Sequence, residues 1–158
     1  MGFFRKFLLF TATGFGIGLF VPFAPGTFGS LPGVALALVL SRFPLSVQIA
    51  AALALAALAV PVCSSAEKTL GIKDDGRITA DEWMLFPLAV AGLPLAALSW
   101  KAVLVFFAVV RLVDIIKPPP ARQLQSIDGG LGIVIDDFAA NLYSLCINWT
   151  IYLCFFKI

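Results

Sequence analysis

The 158-residue chain is 61% hydrophobic and 13% charged, with a net charge of +2 and a mean hydropathy of +1.02. A water-soluble domain of this length has too little interior to hide so much apolar side chain, so lipid has to cover the excess. The small net charge, with no basic stretch interleaved with aromatics, argues against nucleic acid as a partner, and the absence of histidine removes Ser-His-Asp triads, His-ligated zinc and His-dependent phosphatase chemistry.

In chain order, Arg5 and Lys6 precede an apolar run over 7–21 that resembles a signal peptide. It lacks a small-x-small cleavage site; Pro22, Phe23 and Pro25 stand there instead, and the segment is expected to be retained. Gly14-Phe15-Gly16-Ile17-Gly18 follows no strand and reads as close helix packing. The turn Ala24-Pro25-Gly26-Thr27-Phe28-Gly29-Ser30 is a candidate anion cradle, because a helix start after it would aim N–H groups at a phosphate. Alone it carries little weight, since Pro/Gly turns between apolar helices are common.

Further apolar stretches cover 31–40, 45–63, 83–99, 101–116 and 138–156. A membrane span takes about 20 residues. The stretches 45–63 and 138–156 fit, 83–99 and 101–116 sit at the short limit, and 7–21 and 31–40 suit partial helices. Between them, 41–44 turns the chain, 71–81 reads as an aqueous loop, and Pro118, Pro119 and Pro120 stop a helix. Gly129, Gly130 and Gly132 predict a close turn before the last helix. The expectation is one all-α domain over 1–158: an integral membrane helical bundle of about four transmembrane helices plus shorter re-entrant or interfacial helices. Cys63, Cys146 and Cys154 lie in or at the end of apolar stretches and read as packing residues. None has an Arg six residues later, which excludes a Cys-based phosphatase loop.

The nine acids occupy four places: Glu67 with Asp74 and Asp75; Asp81-Glu82; Asp114; and Asp128 with Asp136-Asp137. One apolar hairpin separates the Pro25–Ser30 turn from the second group, and another separates Glu82 from Asp114. Each hairpin returns to the side it left, so all these groups can share one membrane face. Acids in an apolar protein are costly and point to function. Brought together they would repel unless a cation neutralised them, and hard oxygen donors favour Mg²⁺, which in turn binds phosphate.

Structural roles compete for each group. Thr79-Ala80-Asp81-Glu82 matches a capping box, which would occupy Glu82 but leaves Asp81 unexplained. Arg111, Asp114 and Lys117 share one helical face and can form a plain ion network. Asp136-Asp137 after the glycines would suit a helix start by dipole alone, although two adjacent acids exceed what capping needs. Asp75, Asp128 and Glu67 read as structural.

These pieces resemble the phosphatidylglycerophosphatase A family. The resemblance rests on Pro25-Gly26-Thr27-Phe28-Gly29-Ser30, Asp81-Glu82, Arg111-x-x-Asp114-x-x-Lys117-Pro118-x-Pro120, and Gly130-x-Gly132-Ile133-x-Ile135-Asp136-Asp137-x-x-Ala140, and runs over about 14–150. Departures are Pro119, where the family often has an aromatic, and Asn141, where it often has Gly. The resemblance implies a bacterial, membrane-bound, Mg²⁺-requiring enzyme that converts phosphatidylglycerophosphate to phosphatidylglycerol and phosphate.

The expected site then has Asp81, Glu82, Asp114, Asp136 and Asp137 as catalytic, metal-holding carboxylates around one or two Mg²⁺ ions. Arg111 and Lys117 would pair with phosphate oxygens, and Thr27 and Ser30 would complete the cradle. A water is preferred over an Asp as nucleophile, because no D-x-D nucleophile motif is present. Two rivals are weaker. A CDP-alcohol phosphotransferase would explain Asp75-Gly76, but Asp81 stands where its motif needs Arg; a cation channel or transporter needs acids at mid-span, whereas these flank the spans. Lys68, Lys73, Arg77, Arg111, Lys117 and Arg122 fall on the acid-bearing side, against Arg42, Lys101 and Lys157 opposite, which favours a cytoplasmic site on a bacterial inner membrane. The partners expected are the bilayer and a phospholipid substrate, and a homo-oligomer is compatible with the sequence.

Overall fold

A computed structural model describes residues 2–157, and every regular element among them is helical. Four short helices come first: α1 (Phe3–Ala12), α2 (Ile17–Phe20), α3 (Pro25–Gly29) and α4 (Leu31–Leu40). The long α5 (Leu45–Leu70) leads through the polar loop to α6 (Ala80–Ala89), and a 3-10 turn (Leu95–Ala97) precedes α7 (Trp100–Ile116). A one-turn α8 (Ala121–Leu124) and the long α9 (Gly129–Phe155) complete the chain.

Among the described residues two helices, rather than four, are long and apolar enough to cross a membrane. At 1.5 Å per residue, α5 and α9 extend about 40 Å, against a hydrocarbon core of about 30 Å. The stretch 83–99 is not one helix. Pro87 offers no N–H to the Trp83 carbonyl, α6 ends at Ala89, and the chain then turns at Gly92, whose φ is +81°. The helix α7 is a single element of 17 residues, about 25 Å long.

The helices α5, α6 and α9 pack on one another at the centre; α1 lies on α5, α4 on α6, and α7 and α8 on α9. Missing side chains set how closely they approach. A Cβ on Gly130 of α9 would lie 2.2 Å from the Val60 carbonyl oxygen of α5, and one on Gly33 of α4 would lie 2.5 Å from the Trp83 carbonyl oxygen of α6. At the other end, Asn148 and Trp149 of α9 donate to the Ala89 and Ala91 carbonyls, and the Gly92 N–H donates to Gln48 of α5. The C-terminus of α5, the N-termini of α6 and α9 and the C-terminus of α7 therefore share one end of the bundle. Outward faces carry large apolar side chains, among them Leu53 and Leu58 on α5, Leu104 and Leu112 on α7 and Leu153 on α9.

Candidate active site

Lys117 gathers the first half of the site. It caps α7 with a left-handed backbone (φ +46°), its N–H bonded to the Val113 carbonyl at 2.8 Å, and Pro118 prevents the helix from continuing. That turn delivers the ammonium to α9, where it pairs with Asp136 and, at 3.0 Å, with Asp137; Asp114 lies 3.9 Å away. Burial works against this ammonium, but Asp137, Asp136 and Asp114 outweigh it and raise its pKa above the ordinary lysine range.

Arg111 gathers the second half. One turn back along α7, it reaches Glu82 at 3.2 Å and Asp114 at 3.1 Å, and donates to the Ser30 hydroxyl at 3.1 Å. Ser30 donates in turn to the Gly26 carbonyl at 2.8 Å, and its hydroxyl lies 3.4 Å from the second Glu82 oxygen. Gly26 is required here for space: a Cβ would sit 2.0 Å from Glu82 Oε1. Burial pushes the Glu82 carboxyl up to about 7, with Arg111 opposing and Asp114 reinforcing the shift. Asp81, buried beside it, is raised well above the usual range by desolvation and by the charges of Glu82 and Asp114.

Two local expectations are revised. The Thr79 side chain makes no capping hydrogen bond, so the capping box does not form and Glu82 is spent on Arg111 and Ser30 instead. Asp136 and Asp137 do not open the last helix; α9 begins at Gly129, so both acids lie two turns inside it and are buried. Thr27, half-buried on α3, contributes no hydrogen bond to the network among the described residues. Asp75 is tied to Arg77 by paired hydrogen bonds of 2.9 and 2.6 Å, and Asp128 pairs with Lys73, so both stay in loop ion pairs. The pairing of Asp75 leaves the phosphotransferase reading without its leading acid at the site.

Five carboxylates against two cations leave the cluster with three surplus negative charges when all are ionised. One buried oxygen on each of Asp81, Asp114 and Asp136 has no hydrogen-bond partner. Such orphaned oxygens are costly, and a hard cation is what their chemistry fits. As the side chains stand, no three acids among the described residues form a ready-made ion-binding group, and Arg111 and Lys117 pair with four of the five. Beside Asp114 and Lys117 opens a cleft of about 480 Å³, also lined by Ile115, Ile116, Arg122 and Gln125. Gln125 did not stand out in the sequence, and Arg122 did so only as one of the cations on the acid-bearing side; one polar residue after a proline run carries no pattern of its own.

A family model described as Phosphatidylglycerophosphatase A matches residues 10–152. A Haemophilus influenzae protein named Phosphatidylglycerophosphatase A is 35% identical over 142 residues, covering 89% of this chain and 85% of the relative. An Escherichia coli protein of the same name is 32% identical over 134 residues, covering 84% and 76%. A Bacteroides thetaiotaomicron relative with a provisional phosphatidylinositol-3-phosphatase name is 32% identical over 136 residues, covering 84% and 85%. No solved structure matches. With the match spanning nearly every element that builds the carboxylate cluster, the chain belongs to the phosphatidylglycerophosphatase A family.

Proposed function

We propose that this protein is a phosphoric monoester hydrolase that converts phosphatidylglycerophosphate to phosphatidylglycerol and phosphate at one face of a membrane. Family membership supports the reaction. The observation that carries the site is the pair of cations, Lys117 and Arg111, threading four acids from α6, α7 and α9 (Glu82, Asp114, Asp136 and Asp137) into one cluster, with Asp81 buried beside them. The finer membrane arrangement, in which α6 with its following turn and α7 form a second embedded hairpin beside α5 and α9, is part of this reading. So is a cytoplasmic face for the cluster.

The three orphaned carboxylate oxygens and the surplus negative charge suit Mg²⁺, held by Asp81, Asp114 and Asp136 with Asp137 beside them. Bound there, the ion would polarise the phosphoryl oxygens and acidify a water. Arg111 and Lys117 supply the positive charge that orients the terminal phosphate, the guanidinium by its planar fork and the ammonium as a point charge. Glu82, both of whose oxygens already face Arg111 and Ser30, is less free as a ligand. Its raised pKa suits it to accept the proton of the attacking water near neutrality. Water adds to phosphorus, the bond to the glycerol oxygen breaks, and that oxygen leaves with a proton as the free hydroxyl of phosphatidylglycerol.

The test is phosphate release from phosphatidylglycerophosphate, with phosphatidic acid and phosphatidylinositol 3-phosphate as competing substrates, with and without Mg²⁺. Asp136→Asn and Asp137→Asn should each cut kcat by about a hundred-fold or more. Normal Mg²⁺-dependent release by both variants would sink the site assignment.

A further inference from the structure

The cations inside the cluster are already paired with acids, Lys117 with three carboxylates and Arg111 with two, although the buried Arg111 Nε has no hydrogen-bond partner. With all five acids ionised, the three surplus negative charges would make the cluster by itself repel a substrate that carries two phosphates. Arg122 stands differently. It is exposed, makes no ion pair among the described residues, and lines the 480 Å³ cleft together with Asp114 and Lys117. That volume lies within the range of about 300–1,000 Å³ typical of small-molecule sites and exceeds what one phosphate group fills.

The cleft is also two-natured. Ile115 and Ile116 line it and remain about 70% and 67% exposed, so an apolar lip adjoins the polar walls. A free phosphate has no use for such a lip, whereas a lipid headgroup with its chains does. Arg122 rides on a fixed element: its neighbour Ala121 is fully buried against Val113 and Ala140, and Tyr143 of α9 donates to the Pro119 carbonyl at 2.6 Å.

Resting on the functional reading above, the geometry points to Arg122 as the specificity-determining residue that binds the inner phosphodiester of the substrate while the terminal monoester sits against Lys117 and Arg111. Its guanidinium is the cleft's one uncommitted cation among the described residues, and its planar fork matches two phosphodiester oxygens. Gln125, which also lines the cleft, offers an amide to the glycerol hydroxyl between the two phosphates. A lipid monophosphate such as phosphatidic acid has no inner phosphodiester and would gain nothing from Arg122.

The experiment measures KM and kcat on phosphatidylglycerophosphate and phosphatidic acid in micelles of a neutral detergent, which removes general attraction to an anionic surface. Arg122→Ala should raise KM for phosphatidylglycerophosphate about ten-fold with kcat within about two-fold. For phosphatidic acid, KM, or its inhibition constant where turnover is too slow to follow, should change by less than about two-fold. Arg122→Lys, which keeps the charge but loses the fork, should fall between. An equal loss on both lipids, or a loss confined to kcat, overturns the assignment. A wild-type protein that releases no phosphate from phosphatidylglycerophosphate overturns the functional reading itself, and the role of Arg122 with it.

Discussion

Gly26 shows how a residue with no side chain governs one that has chemistry. The Glu82 carboxylate occupies the space a Cβ would take, so Gly26→Ala has to displace it. The displaced group is the far end of a flexible side chain, and the fold should lose no more than about 1 kcal/mol. The consequence falls on the chemistry. Arg111 holds the Glu82 pKa down against burial, so moving the two apart raises it further. If Glu82 must be ionised to accept a proton, wild-type activity declines as pH falls through about 7, and in Gly26→Ala that decline moves to higher pH. On the acid limb, activity should drop about ten-fold for every pH unit by which the decline has moved. A pH–rate profile measured beside the thermal unfolding temperature checks both halves, and an unmoved profile would separate Glu82 from proton transfer.

At the scale of elements, two of the three glycines at the start of α9 do the opposite of what their composition suggests. Gly129, Gly130 and Gly132 read as a turn, because glycine is a poor helix former. In the folded chain Gly129 keeps a turn conformation (φ +78°) at the first position of α9, whereas Gly130 and Gly132 lie within the helix, where Gly130 lets α9 close onto the Val60 carbonyl of α5. Gly130→Ala would press a methyl against backbone, which cannot swing aside, and should cost about 2 kcal/mol or more. Thermal unfolding in detergent, compared with Gly26→Ala, tests the contrast: Gly130→Ala should melt lower while the gentler variant holds. This is also where the sequence stops being legible. Hairpin parity is enough to expect Asp81, Glu82, Asp114, Asp136 and Asp137 at one end, because it depends only on counting turns. Local patterns are not enough for Glu82 or for α6. A capping box competes with Arg111 and Ser30, partners distant in sequence, and Pro87 with Gly92 breaks an apolar run that hydropathy alone reads as continuous.

For the whole molecule, the two ends of the bundle differ in kind. One end gathers the carboxylate cluster, the polar loop after α5 and the cations Lys73, Arg77 and Arg122. The other carries Arg42 and the exposed Trp100 around an apolar groove of about 420 Å³, with Lys101 beside the Trp100 ring. Tryptophan beside a cation suits the interface between headgroups and hydrocarbon. The excess of lysine and arginine at the carboxylate end is the charge bias that the proposed cytoplasmic orientation predicts. A single reporter distinguishes the two orientations. With Cys63, Cys146 and Cys154 replaced by alanine or serine and activity retained, a cysteine at Ser126 marks the carboxylate end, since Ser126 is exposed just past α8. A membrane-impermeant maleimide should label it in inside-out vesicles and leave it unlabelled in intact spheroplasts, while a cysteine at Ser99 should show the reverse pattern. Labelling of Ser126→Cys from the outside would place the cluster on the outer face, and the protein would then reach only substrate present in the outer leaflet.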